Sequence, residues 1–365
     1  MNVTIFSAFD TILNPYILLF KRAIERQGFG VNVKREFNLS WLFSEGKKSD
    51  VIHLHWLNNT YSLQEKSKEH FFLKRLINHR FGKIFLEFIC LIDFVLAFII
   101  AKATRKIITF TVHDLYEFGK KSLHRKYLIE IRRNIIFRFA HSIHVHNFYT
   151  GKLLKKRYNR RNGVFVIPHG NFINFYKNQI TKSKAREHLG LPEGAFVFLF
   201  LGLLRPYKGI EDLIDAFKNL EGENFRLVIA GRIFGVVNYE ATLQALSRSD
   251  HRIKIKFEFI PDNDLQIYFN ACDFYVLPYK DITTSGAACL SLSFGRPIVA
   301  PDIASFPEIV NSEAGILYDP SKPTALINAL NEATKKQFSE SIILEYANKF
   351  DWDAIGSQLI QLYHP

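Results

Sequence analysis

The sequence predicts an α/β protein made of two doubly wound, parallel-sheet domains in series. Short apolar runs alternate with stretches of helical spacing along nearly the whole chain, the pattern of strand–helix–strand units with parallel strands. A polar stretch at 171–193, with Lys177, Lys182, Lys184 and Arg186, interrupts the alternation, which then restarts; the domain boundary is expected there. With 365 residues, 48% of them apolar and 23% charged, the chain can supply each domain with its own core.

In the first half, strands are expected at 3–8, 31–33, 51–55, 107–112, 142–146 and 164–167. The helical spacing of 15–27 stops at Gly28, a residue suited to a helix C-terminus. In the second half, strands at 196–201, 226–230, 253–257, 274–277 and 297–300 alternate with helices at 210–219, 239–247, 262–270 and 286–294. Open parallel sheets bind ligands outside the carboxyl ends of their strands, so the ligand cleft is expected between the two domains.

Charge separates the halves. Residues 1–170 hold 29 Lys and Arg against 12 Asp and Glu, and the remainder 19 against 23. A basic half favours a polyanionic partner: an anionic membrane, a pyrophosphate-linked lipid or nucleic acid. The three cysteines, Cys90, Cys272 and Cys289, are scattered, which argues against a disulfide framework or a zinc site and fits a reducing compartment. The first residues read as a buried strand, not a signal peptide, and a cytoplasmic location is expected.

Residues 84–101 are nearly all apolar, but hold Glu87 and Asp93 and are flanked by Arg80, Lys83, Lys102, Arg105 and Lys106. An acid near the middle of a spanning helix costs about 2.5–3.5 kcal/mol, so a transmembrane role is not expected. Two readings stand: a core helix of the first domain, or a helix lying in the membrane interface with its basic flanks on anionic lipid.

Two segments carry chemistry. In FLGLLRPYKG, 200–209, a buried strand ends at Gly202 and a tight turn presents Arg205 and Lys208 before a helix. Two cations three residues apart at a helix entrance suit a diphosphate, the guanidinium gripping two oxygens and the ammonium adding a point charge. In LPYKDITTSGAA, 277–288, a strand ends and Thr283, Thr284 or Ser285 can cap a helix that begins at Gly286. Its small residues let an anion approach free N–H groups.

These pieces, with LVIAG (227–231), FIPDNDLQIYFNACDFYVLPY (259–279), FGRPIVAPDIASFPEIV (294–310) and FDWDAIGSQLIQLY (350–363), resemble the family-4 type of GT-B glycosyltransferases, the group 1 glycosyl transferases. VIPHGNF, 166–172, matches the strand and turn that close the N-terminal domain in that family. The resemblance implies two Rossmann-like domains facing a cleft: an acceptor- and membrane-facing domain over 1–172, rejoined by a C-terminal helix at 350–365, and a donor domain over 173–349. Arg205 and Lys208 would hold the donor pyrophosphate, Phe259 and Pro261 within 258–262 would meet the base, and Thr283, Thr284, Ser285 and Gly286 would contact phosphate or sugar. The segment 305–308 would lie nearby.

One departure bears on mechanism. Retaining members carry two glutamates around this second site, and alignment on FGRP places them at Ile282 and Leu290. Both carboxylates are missing. The ITTSGAACLSLSFGRPIVAP variant resembles bacterial exopolysaccharide β-mannosyltransferases, which invert. An inverting enzyme needs a general base, which GT-B folds place on the N-terminal domain. His113 and Asp114, at the end of a strand, are the first candidates, with Glu117 one turn away. His55 follows; alternation sends His53 and His55 to one face, suited to sugar or phosphate contact. His141, His144 and His146 form a third group. Asn14 and Tyr16 fall where the family's N-terminal loop touches acceptor or donor, while Asn14 and Pro15 equally suit a helix cap and first turn. No carboxylate or cysteine sits at ligand spacing beside the histidine pairs, so no metal is expected.

The expected function is transfer of a hexosyl unit, mannosyl favoured, from GDP-mannose or a UDP-hexose to a glycan or polyprenyl-pyrophosphate-linked acceptor in surface polysaccharide assembly. No cofactor beyond the nucleotide-sugar substrate and no nucleic-acid partner are expected, and the protein should sit on the inner face of the cell membrane, with helices 121–138 and 152–161 facing lipid. Three alternatives are a nucleic-acid-base glycosyltransferase, a non-catalytic GT-B scaffold and a nucleotide-sugar epimerase.

Overall fold

The computed structural model describes residues 1–7, 14–56, 80–115 and 123–364. Two compact units divide the chain: Met1–Pro168 with Trp352–Pro365, and His169–Asp351.

The first unit begins with β1 (Asn2–Phe6), α1 (Pro15–Arg26), β2 (Gly30–Lys34), α2 (Leu39–Phe43) and β3 (Val51–His55). It continues through α3 (Arg80–Ala103), β4 (Ile107–Val112), α4 (Leu123–Phe139), β5 (Ser142–Val145), α5 (Phe148–Tyr158) and β6 (Val164–Val166). The strands are parallel in the order β2-β1-β3-β4-β5-β6. The order reverses direction between β1 and β3, the switch point at which open α/β sheets hold ligands. Because β3 is central and covered on both faces, every one of its side chains is buried, His53 and His55 included.

Asn14 caps α1: its side-chain oxygen accepts the Tyr16 N–H at 3.1 Å, and Pro15 fills the first helical position. The inward stripe of α1 is Tyr16, Ile17, Phe20, Ala23 and Ile24.

Helix α3 has two apolar faces. Phe94, Ala97, Phe98 and Ala101 enter the core of the unit, while Phe81, Phe85, Phe88, Ile89, Ile92, Leu96 and Ile99 lie on its exposed side. Its two acids are satisfied internally. Glu87 accepts from Arg125 Nε at 2.7 Å and meets His124 Nε2 at 3.0 Å, and Asp93 accepts the Leu39 N–H at 3.2 Å. The next helix, α4, has part of its basic side chains turned inward. It exposes Leu123, Tyr127 and Ile131 but buries Arg132 and Arg133; Arg132 stacks over the Phe94 ring at 5.5 Å. Residues 121 and 122 of the predicted helix lie outside the described residues.

The second unit comprises α6 (Lys182–Leu189), β7 (Phe196–Leu201), α7 (Ile210–Lys218), β8 (Phe225–Ala230), α8 (Tyr239–Ser247), β9 (Ile253–Lys256) and α9 (Leu265–Ala271). After these come β10 (Phe274–Val276), α10 (Gly286–Ser293), β11 (Ile298–Pro301), α11 (Phe306–Ile309), β12 (Gly315–Tyr318), α12 (Ala325–Ala333) and α13 (Glu340–Asn348). Its parallel sheet runs β12-β11-β10-β7-β8-β9, the doubly wound order, with the switch between β7 and β10.

The two units divide at Pro168 and His169, just before the polar stretch 171–193. That stretch holds α6, capped by Thr181 and ended by Gly190 in the left-handed region, with Arg186 buried against the Ala271 carbonyl and Asp273. The chain finally returns to the first unit as α14 (Trp352–Leu359), which packs on α1. Gly356 permits that approach: a Cβ there would stand 2.7 Å from the Ala23 carbonyl oxygen.

Candidate functional site

In the second unit the switch point is built from the loops after β7 and β10. The Lys280 N–H donates to the Tyr207 carbonyl at 2.8 Å, and Lys280 pairs with Asp212 of α7 at 2.8 Å, tying the loops together. Gly209 sits at φ +68° with its Cα against the Pro278 carbonyl, so any side chain would collide there. The turn therefore carries glycine for a packing reason, and Arg205 and Lys208 are held by it.

Both cations are half-buried. The Lys208 ammonium lies 5.2 Å from the Tyr279 ring centre and 5.9 Å from that of Phe200, and the Arg205 guanidinium stands 4.8 Å over Phe234. Among the described residues no carboxylate pairs with either, and Arg205 Nε is buried without a hydrogen-bond partner. Burial, with the neighbouring Arg205 charge, pushes Lys208 down to about 8. Two adjacent cations that repel each other in a partly desolvated turn form a prepared anion site.

Ser285 caps α10, its hydroxyl accepting the Ala288 N–H at 3.1 Å. Thr283 and Ser285 are buried; Thr284 and Gly286 are partly open. His169 lies beside this helix start: a Cβ on Gly286 would be 3.5 Å from its Nε2. Its Nδ1–H donates to the Gly170 carbonyl at 2.7 Å, and burial pushes the imidazole down to about 4, so it is neutral at pH 7. Ile282 is part of the core and Leu290 packs against it. The two positions that would bear glutamates are thus committed to packing. Phe259 is 64% exposed and Pro261 is exposed, in the loop after β9.

In the first unit the carboxyl ends of β3, β4 and β5 bring together imidazoles that lie far apart in sequence. His55 Nδ1 meets His113 Nε2 at 2.9 Å, and Trp56 stacks on His113 with ring centres 3.7 Å apart at 11°. Trp56 has φ +44°, a left-handed conformation costly for a bulky residue, held where it covers His113. Tyr16 packs edge-on to His113 at 5.0 Å and to His146 at 5.5 Å. A deeper chain crosses the sheet. Tyr363 Oη meets His53 Nδ1 at 2.8 Å, Thr111 Oγ1 meets His53 Nε2 at 2.7 Å and His144 Nδ1 at 3.0 Å, and His144 Nε2 donates to the Ile167 carbonyl at 2.8 Å. Burial holds His53 and His55 well below the usual imidazole range, so both are neutral at pH 7.

The three residues expected to touch acceptor or sugar lie at or beneath this cluster. His55 is wholly buried and supports His113, Tyr16 is buried among the rings, and Asn14 is the helix cap. His113 is half-buried and Asp114 exposed, at the mouth of the cluster. His141 lies apart, its Nδ1 accepting the Ile108 N–H at 3.0 Å. Glu117 lies outside the described residues. Among the described residues no group of three His, Cys, Asp or Glu is arranged to hold a metal. Sequence reading missed Trp56, although it follows His55 directly. It also missed Arg133, whose Nη1 and Nη2 donate to the carbonyls of Leu115 and Asp114 at 3.0 and 3.3 Å.

Two doubly wound units, one with a cationic switch point, define a GT-B protein. The fold is shared with the sucrose-phosphate synthase of Thermosynechococcus elongatus (TM-score 0.72, 15% identity, 100% of this chain and 98% of that one). It is also shared with Anabaena HepE, solved with UDP and glucose (TM-score 0.71, 18% identity, 100% and 99%). Residues 181–350 match the model of the family described as glycosyl transferases group 1, so the second unit is a group 1 glycosyltransferase domain.

Among curated proteins, the chain is similar to the GDP-mannose:glycolipid 4-beta-D-mannosyltransferase of Xanthomonas campestris pv. campestris. Identity is 30% over 135 residues, 36% of this chain and 38% of that one. It is also similar to the D-inositol 3-phosphate glycosyltransferase of Corynebacterium glutamicum, at 26% over 216 residues, 55% and 51%. The chain thus spans about half or less of the length of these relatives.

Proposed function

We propose that this protein transfers a hexosyl unit, mannosyl in the favoured case, from a nucleoside-diphosphate sugar to a glycan or polyprenyl-pyrophosphate-linked acceptor, with inversion. The observation that carries the reading is the pair of cations, Arg205 and Lys208, without carboxylate partners among the described residues, at the switch point of the second unit. They would take the donor diphosphate, with the N–H groups at the start of α10 adding a dipole of the right sign. The exposed Phe259 ring offers the base a stacking surface.

In a single displacement, the acceptor hydroxyl oxygen bonds to the anomeric carbon as the bond from that carbon to the diphosphate breaks. The hydroxyl proton passes to the His113–Asp114 turn, and the electron pair leaves on the diphosphate. In the tautomer in which His113 Nε2–H donates to His55 Nδ1, His113 Nδ1 is the accepting atom. Arg205 and Lys208 stabilise the growing negative charge on the leaving group. Ile282 and Leu290, where retaining relatives hold carboxylates, support inversion. Similarity to a mannosyltransferase supports the choice of sugar.

A thermal-shift panel of GDP- and UDP-sugars tests this reading: at least one donor should stabilise the protein, and no shift with any of them would refute it. Affinity should also depend on pH. Lys208 is charged below about pH 8 and loses its proton above it. A bound diphosphate raises that value, so donor affinity should fall by up to about tenfold per pH unit above pH 8 until the raised value is passed. Lys208→Arg should flatten the dependence; a flat wild-type titration from pH 7 to 10 contradicts the assignment.

The exposed apolar side of α3, with Leu123, Tyr127 and Ile131 of α4, supports a peripheral membrane site, with Lys102, Arg105, Lys126 and Arg138 exposed on the same helices and the turn after α3 to meet anionic headgroups. Each inserted ring or branched chain contributes on the order of 1–2 kcal/mol. Phe85→Ser, Ile92→Ser and Leu96→Ser combined should abolish co-sedimentation with phosphatidylglycerol liposomes. Equal pelleting of wild type and variant would contradict the site.

A further inference from the structure

We propose that Arg133 is a positioning residue that sets the geometry of the turn bearing His113 and Asp114, an inference that rests on the reading of that turn as the source of the general base. Arg133 sits on the inward face of α4 and is 6% exposed. Its guanidinium divides between two successive main-chain oxygens, those of Asp114 and Leu115. The carboxylate beside it, Glu130, stands 3.9 Å away and also takes Arg157 at 3.2 Å and the Tyr158 hydroxyl at 2.9 Å.

The contrast with another buried arginine is informative. Arg252 also gathers carbonyls, those of Leu220 and Gly222, but is clamped by Asp250 at 2.7 Å and stands just before β9. Arg133 has a looser ion pair, and its bonds go to the loop that leaves β4 at the histidine cluster. A rigid fork can hold two carbonyls at fixed angles, which a flexible ammonium cannot.

The turn is thus fixed from two sides. His55 and Trp56 hold the imidazole of His113, and Arg133 holds the peptide groups that follow it. Displacement of a base by about 1 Å is enough to cost a large part of its effect, without touching donor groups carried by the other unit.

The test uses the full chain and measures release of GDP from GDP-mannose, or UDP from UDP-glucose, with a bacterial membrane lipid extract as acceptor. Arg133→Lys should lower kcat about tenfold, keep donor KM within about twofold and melt close to wild type. Guanidinium ion at low millimolar concentration should restore activity to Arg133→Ala and not to His113→Ala. A kcat for Arg133→Lys within about twofold of wild type, where His113→Ala is inactive, overturns the positioning role alone. Full kcat in both His113→Ala and Asp114→Ala refutes the reading of the turn, and the positioning role with it.

Discussion

Replacing His113 by alanine should lower kcat by about 10²–10⁴-fold while leaving nucleotide affinity unchanged. His113 is the half-open member of a histidine cluster whose other rings are buried, and it is held by contacts from His55, Trp56, Tyr16 and His146. Such constraint serves a group whose position matters more than its solvation. The substitution removes only a ring that caps the cluster, so the sheet beneath, tied by the His53–Thr111–His144 chain, should keep its stability. Steady-state kinetics with donor binding measured by calorimetry checks this. A loss of affinity matching the loss of kcat would move His113 from proton transfer to binding.

Arg205→Ala and Lys208→Ala should each weaken nucleoside-diphosphate binding by about 10- to 100-fold. Charge-assisted hydrogen bonds to a diphosphate are worth about 1.5–3 kcal/mol each, and the turn offers no carboxylate that competes for either cation. The losses should not add, because each cation already disfavours the other: removing Arg205 relieves the repulsion that lowers the Lys208 pKa. Calorimetric titration of GDP and UDP against both single variants and the double variant measures this. Affinity that survives both changes would place the diphosphate elsewhere.

The candidate anion site of the second unit was legible in the sequence because its grammar is local. A buried strand, a glycine, two cations and a helix start lie within ten residues, and the structure adds why Gly209 must be glycine. The fold was legible for the same reason, through alternation along each half. The exceptions were α2, α6 and the segment between β11 and the C-terminal helix, where β12, α12 and α13 were not anticipated.

The first unit's site was only half legible. Alternation placed His53 and His55 on one face correctly, and their rings stack 4.6 Å apart, but a central strand has no solvent face. A reading in two dimensions therefore could not show that His55 is wholly buried. Arg132 and Arg133 were hidden more deeply, since basic residues on a helix usually mark its solvated side. Only the fold shows that these two point inward.

The most direct measurement is a transfer assay with GDP-mannose and UDP-glucose, each incubated with the full chain and a bacterial membrane lipid extract, with nucleotide and lipid products followed by chromatography and mass spectrometry. The expected result is release of nucleoside diphosphate in step with a lipid-extractable product one hexose heavier, both lost in Arg205→Ala and Lys208→Ala. The contradictory result is no nucleotide release and no hexosylated product from either donor, under conditions where the wild-type protein is folded.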